Sequence, residues 1–162
     1  MNTARAEVGA TRNAVEWERI AVGDELPDTT FGPLTITDFV RYQGASGDMN
    51  PIHHDTEFAR RAGFPGPFAV GMLSAGLLAG RAVDWLGPTA IRSFKVRFRD
   101  IAWPGDTLTL TARVTEKSDS DRTVTVELCA LNQDDGVHAQ AWAKFELTQV
   151  APIENWSTDH VG

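Results

Sequence analysis

The sequence predicts an α+β domain in which a curved antiparallel sheet wraps around one long helix. Three observations carry that expectation. From Ile91 onward, apolar and polar residues alternate with a period of two. Ahead of them lies one long apolar stretch, Phe68 to Leu86, crowded with Gly, Ala and Ser. The connections between the alternating segments are rich in Gly, Asp, Asn and Ser, the residues that make tight turns.

With 162 residues the chain can bury one ordinary core, and two independent domains are not expected. Residues 1–14 read as a polar leader, 15–150 as the domain, and 151–162 as an aperiodic tail open to disorder. The leader has no apolar stretch of the kind that marks a secretory signal. Hydrophobic residues at 42% and charged residues at 23% suit a globular protein. A formal charge of -7, with no basic run interleaved with aromatics, argues against a nucleic-acid or anionic-lipid surface. The single cysteine, Cys129, permits no internal disulfide, so packing must hold the fold and a reducing cytoplasm is expected.

Along the chain, Val15 to Val22 alternates loosely and stops at Gly23-Asp24, which predicts a short first strand. Gly32-Pro33 breaks the chain. Thr35 to Asp38 offers caps to a short helix carrying Phe39, Val40 and Tyr42 and ending within Gly44 to Gly47. Pro51 disfavours helix at Asn50, so an irregular or extended loop should follow. Asp55 caps a second short helix, Thr56 to Ala62, which Gly63 ends.

Gly63-Phe64-Pro65-Gly66-Pro67 is a stiff turn into the long apolar stretch. Its most apolar part, Phe68 to Gly80, falls well short of the ~20 residues that span a bilayer. It predicts a helix, apolar nearly all round and the most enclosed element of the fold. Four strands then follow in the alternation of Phe94, Val96 and Phe98; of Leu108 to Val114; of Val124 to Ala130; and of Ala139 to Leu147. Short polar turns between them predict an antiparallel meander. A sheet whose apolar face must cover a small-residue helix wraps around it, the arrangement called a hotdog fold.

One decapeptide concentrates polar chemistry: Ser46-Gly47-Asp48-Met49-Asn50-Pro51-Ile52-His53-His54-Asp55. A carboxylate and an imidazole at Asp48 and His53 suit general acid-base work near neutral pH. The frame Ser46-Gly47-Asp48-x-Asn50-Pro51-Ile52-His53, followed by Phe58-Ala59, Gly63-Phe64-x-Gly66-Pro67, Gly71-Met72-Leu73, Phe94-x-Val96-x-Phe98 and Pro104-Gly105-Asp106-Thr107, resembles the MaoC-like (R)-specific enoyl-thioester hydratases and dehydratases from about Thr35 to Phe145.

That resemblance implies a hotdog fold and the reversible addition of water to a trans-2-enoyl thioester, giving a 3-hydroxyacyl thioester. It implies Asp48 and His53 as the acid-base pair, with either one open as the activator of water, and the Gly71 backbone N–H as oxyanion donor. Asn50 and Ser46 would support the loop. It further implies a homodimer, or a heteromer with a related hotdog subunit, with the acyl chain in a tunnel near the interface. No metal and no redox cofactor are implied; coenzyme A or phosphopantetheine enters only as part of the substrate. The chain departs from the family in one respect: Val70 stands where histidine commonly precedes Gly71.

Plainer readings compete. Asp48 can cap a turn and His53 can satisfy a buried carbonyl. His54 and Asp55 read as solvent-facing and helix-capping. A two-histidine, one-carboxylate metal site is disfavoured because adjacent side chains diverge. Lys95, Arg97 and Arg99 suit either the phosphates of coenzyme A or a solvated sheet face. Ser74 has no base beside it in sequence and reads as packing, as does Cys129. Trp85, Trp103 and Trp142 suit an acyl pocket, an interface or simple burial. Two other functions remain open: a non-catalytic acyl-thioester-binding subunit, and a thioesterase on the same fold.

Overall fold

The computed structural model describes residues 17–147. The leader 1–14 and the tail 151–162 lie outside the described residues. Trp17–Arg19 form a single 3-10 turn where a strand was expected. Trp17 and Ile20 are both buried, at a spacing of three. The Lys117 ammonium donates to their carbonyls at 3.0 and 2.7 Å and sits 4.3 Å over the Trp17 ring. The first strand, β1, comes later, at Glu25–Phe31. It is an edge strand, exposed along most of its length, so its sequence carries no alternation and tolerates Pro27.

Helix α1 spans Ile36–Ser46. Thr35 and Asp38 form a reciprocal capping box, with Asp38 N–H donating to Thr35 Oγ1 at 3.2 Å and Thr35 N–H to Asp38 Oδ2 at 2.9 Å. Gly47, in the left-handed region at φ 76°, closes the helix. The next segment is more ordered than expected. Asn50 is extended, but Pro51–His53 make one 3-10 turn, because the fixed φ of Pro51 suits a first helical position and the Asn50 side chain accepts from Ile52 N–H at 3.1 Å. Helix α2, Thr56–Arg61, is capped by Asp55, which accepts from Phe58 N–H at 2.9 Å.

The long helix α3 spans Gly71–Leu86. Phe68 to Val70 do not belong to it. The Ala69 N–H donates to the Ala102 carbonyl at 2.9 Å, holding this stretch against the loop after the second strand. Nor is α3 the most enclosed element. Ser74, Ala75, Leu78, Ala82 and Leu86 form its buried stripe, while Met72 is 53% exposed.

The buried stripe faces a five-stranded antiparallel sheet. Its remaining strands are β2 (Ile91–Phe98), β3 (Leu108–Ser118), β4 (Thr123–Leu131) and β5 (Val137–Glu146). The order is β1-β3-β4-β5-β2, so only β3 to β5 form the expected meander. Strand β2 pairs with β5, in register from Ser93 opposite Lys144 to Phe98 opposite Ala139 after an irregularity between Ile91 and Ser93, and lies at the edge away from β3. Residues 99–107 therefore cross the sheet, passing the start of α3 on the way. Leu108, Val114, Val126, Leu128 and Phe145 are fully buried in the core, each worth about 1.5–3 kcal/mol of apolar burial. The alanines 139, 141 and 143 of β5 keep that strand's inner face low where α3 lies against it.

Candidate active site

The polar decapeptide occupies the link between α1 and α2. The Gly47 cap turns the chain out of α1, and the 3-10 turn brings His53 back under it. His53 is 8% exposed, and its Nδ1 lies 2.8 Å from the carbonyl oxygen of Phe68. A carbonyl only accepts, so Nδ1 is the protonated nitrogen and the neutral ring offers the lone pair of Nε2. The Phe68 ring meets the imidazole edge-on at 5.1 Å, and Phe64 and Trp103 pack on Phe68 at 4.7 and 5.8 Å. This apolar packing fixes the plane of the ring.

Nε2 faces Asp48 Oδ2 at 4.0 Å. The other carboxylate oxygen, Oδ1, accepts from Asn50 N–H at 3.2 Å, and Asp48 N–H donates to Ser46 Oγ at 3.3 Å. One oxygen thus anchors the loop and the other is turned toward the imidazole. The 4.0 Å separation is too long for a direct hydrogen bond, but a water about 2.8 Å from both atoms would bridge it. The Asp48 side chain is 44% exposed, so the gap opens outward.

Gly71 is the first residue of α3, where the N–H groups lie beyond the intrahelical ladder. Its N-cap, Val70, supplies no side-chain acceptor, so the helix dipole is left to favour negative charge here. A Cβ at Gly71 would come within 3.1 Å of the Phe98 ring, a close approach that glycine permits.

Asn50 and Ser46 thus both hold the loop. His54 is exposed, as expected, but its Nδ1 meets Gln43 Oε1 at 2.8 Å. His53 and His54 therefore diverge, and among the described residues no group of three His, Cys, Asp or Glu is placed to hold a metal ion. Gln43 is a supporting residue that the motif did not reveal. It is 2% exposed and also donates through Nε2 to the Asn50 carbonyl at 2.8 Å, clamping both ends of the turn. Its helical spacing of four from the fully buried Phe39 was the available signal.

Other candidates do not gather here. Lys95 and Arg97 alternate with Phe94, Val96 and Phe98, so they project from the outer face of β2; Lys95 lies 6.0 Å over Trp142, and Arg99 donates to Gln140 at 3.3 Å. Burial raises the Cys129 thiol above its ordinary pKa, the opposite of an activated nucleophile. Ser74 does acquire a base: its Oγ lies 2.8 Å from His138 Nε2, although it is wholly enclosed.

A family profile described as the MaoC like domain matches residues 19–133, most of the chain. The chain belongs to the MaoC-like domain family. It is 43% identical over 67 residues to enoyl-CoA hydratase ChsH3 of Mycobacterium tuberculosis, an alignment covering 40% of this chain and 23% of that enzyme. The MaoC-like chain thus spans under a quarter of that relative's length. A chain of the ChsH1-ChsH2 complex from Mycobacterium tuberculosis superposes with a TM-score of 0.70 at 27% identity, over 79% of this chain and 98% of that one. The (R)-hydratase from A. caviae superposes at 0.72 with 22% identity, over 81% and 99%, a likeness of fold alone. The MaoC-like domain is a single hotdog domain, its sheet curved around α3. Among the described residues no helix is long and apolar enough to cross a membrane.

Proposed function

We propose that this MaoC-like chain is a lyase that adds water reversibly to a trans-2-enoyl thioester, forming the (R)-3-hydroxyacyl thioester, with Asp48 and His53 as its acid-base pair. The observation that carries the reading is the orientation of His53. With Nδ1–H committed to the Phe68 carbonyl, Nε2 is free to take a proton, and it faces a carboxylate at water-bridging distance. A water held there gives one hydrogen to Nε2 and the other to Asp48 Oδ2, leaving a lone pair for C3 of the substrate. As the C3–O bond forms, the proton passes to Nε2, and the C2=C3 electron pair moves to give an enolate on the thioester oxygen. The Gly71 N–H stabilises that charge, and the imidazolium returns the proton to C2. Asp48 holds the positive ring meanwhile. No metal or redox step is needed, and coenzyme A or a phosphopantetheine carrier enters with the substrate.

A thioesterase that uses a serine nucleophile loses support from Ser74, whose hydroxyl is enclosed; one that uses water is separated from a hydratase by the release of thiol. The non-catalytic reading is weakened by the presence of both Asp48 and His53, each oriented toward the other. The purified chain should remove enoyl absorbance from a trans-2-enoyl-CoA without releasing free thiol. Asp48→Asn and His53→Ala should each slow that change by about 10²–10⁴ while the fold persists. Release of thiol, or no fall in absorbance at any chain length, overturns the reading.

A second hotdog subunit, another copy or a relative, is proposed to cover the site. Met49, Met72 and Phe98, at 68%, 53% and 44% exposure, stand beside Asp48 and Gly71, and the edge of β2 is unpaired by any described strand. The reaction also needs its open gap shielded from bulk water. Light scattering should give the mass of a dimer; a monomer at micromolar concentration that is fully active refutes this part.

A further inference from the structure

A histidine that the proposed reaction does not use is held by both of its ring nitrogens. His138 on β5 is 4% exposed. Its Nδ1 lies 2.8 Å from the Asp100 carbonyl, which can only accept, so Nδ1 carries the proton and Nε2 accepts from the Ser74 hydroxyl at 2.8 Å. The His138 carbonyl in turn accepts from Arg99 N–H at 2.9 Å and Asp100 N–H at 3.3 Å. One residue therefore grips the segment after β2 by both its ring and its backbone, and grips α3 through Ser74.

Both grips lead to the proposed site. The segment held by His138 continues to Ala102, whose carbonyl accepts from Ala69 N–H at 2.9 Å. Ala69 follows Phe68, the residue whose carbonyl orients His53. Phe98, immediately before the same segment, closes over Gly71. Ser74 lies in the first turn of α3, three residues beyond Gly71. The Phe68 carbonyl and the Gly71 amide lie three residues apart, and the contacts of His138, through the 99–102 segment at Ala69 and through Ser74, fall on either side of Val70.

We propose that His138, as a neutral imidazole bridging Ser74 and the Asp100 carbonyl, is a positioning residue that sets the orientation of His53 and the placement of the Gly71 amide. It touches no substrate and acts only through the 99–102 segment and the start of α3. The proposal rests on His53 and Gly71 having the roles given above, but its physical content, the orientation of the His53 ring, can be read without turnover.

Asparagine at position 138 retains a donor where Nδ1 stood and loses the reach to Ser74; glutamine reaches Ser74 and loses the donor to Asp100. In ring nitrogen NMR of the full chain, His138→Gln should move the His53 signals away from the Nδ1-protonated tautomer, and His138→Asn should leave them as in the wild type. In the hydration assay, His138→Gln and Ser74→Ala should each lower kcat about tenfold with KM within twofold. Val126→Ala, a core change on β4, serves as the control for lost stability. If the His53 signals do not move in His138→Gln, or move as much in Val126→Ala at equal loss of Tm, the positioning role is refuted. A wild type without hydratase activity refutes the proposed reaction instead, and the His53 signals still decide this one.

Discussion

His53 and His138 are set up by the same device and left facing different neighbours. Both rings are buried, at 8% and 4% exposure, and both give the Nδ1 proton to a backbone carbonyl at 2.8 Å. Each therefore presents the Nε2 lone pair. For His138 that lone pair meets the enclosed hydroxyl of Ser74 at 2.8 Å and is consumed. For His53 it meets a carboxylate 4.0 Å away whose side chain is 44% exposed, and the lone pair is left for a third party. A carbonyl that fixes the tautomer makes an imidazole definite, and whether it becomes reactive depends on the partner across from it.

The largest effect expected from this comparison is a rate loss confined to one ring. Asp48→Asn and His53→Ala should lower kcat by about 10²–10⁴, the usual worth of a positioned acid or base. Their urea midpoints should stay close to wild type, because His53 carries one carbonyl bond and Asp48 is half exposed. A wild-type rate in either variant would place His53 in the same structural class as His138 and break the contrast.

The second effect separates the rings by pH. Burial lowers the pKa of His138 from its ordinary 6.5, against the weaker pull of the nearby Asp100 backbone and of the Asp100 and Asp106 charges. A group whose folded pKa is depressed takes up protons more readily when unfolded. Its contribution to stability is thus complete above about pH 6.5 and is lost as pH falls through the lowered folded value. Asp38, Asp55 and Asp121 are also shifted down, chiefly by hydrogen bonds from the Thr35 side chain, the Phe58 amide and the Ser118 side chain respectively, and their loss comes below the ordinary carboxylate value of 3.8. The His138 loss therefore begins at a higher pH than the carboxylate loss. Urea midpoints of the wild type should fall between pH 7 and pH 5, and His138→Asn should flatten that slope. An unchanged slope in the variant would mean that His138 is not the group lost in this range.

Much of this was legible in the sequence where the signal is local. The caps at Thr35, Gly47 and Asp55 announced α1 and α2, and strict alternation announced β2 to β5. The Asp48–His53 motif lies within six residues, so the chain order itself brings the pair together. What escaped depends on distant partners. Strand β1 packs one face lightly at an edge and leaves no pattern, and the placing of β2 beside β5 follows from a crossing that no local period encodes. Ser74 and His138 are 64 residues apart, and only that strand order brings them together. The sequence-only view of Ser74 as lacking a base was a view along the chain, and it failed for that reason.

The smallest effect belongs to the outer face of the sheet, which touches neither imidazole. Lys95 and Arg97 project away from α3, with Lys95 over Trp142, so a double change to alanine disturbs neither the Phe68 carbonyl nor the 99–102 segment. If the substrate's reacting end is held by Asp48, His53 and Gly71, those charges can act only on the remote phosphates of a coenzyme A substrate, and exposed charges reach poorly through salt water. Lys95→Ala/Arg97→Ala should keep kcat at the wild-type value and change KM by less than twofold with an enoyl-CoA. The same pair should be silent with a short enoyl-pantetheine, which has no nucleotide phosphates. A tenfold rise in KM with the coenzyme A substrate alone would bring the outer face into substrate binding and place the nucleotide across the β2 edge. A fall in kcat with both substrates would instead mean that β2 itself helps to hold Phe98 over Gly71.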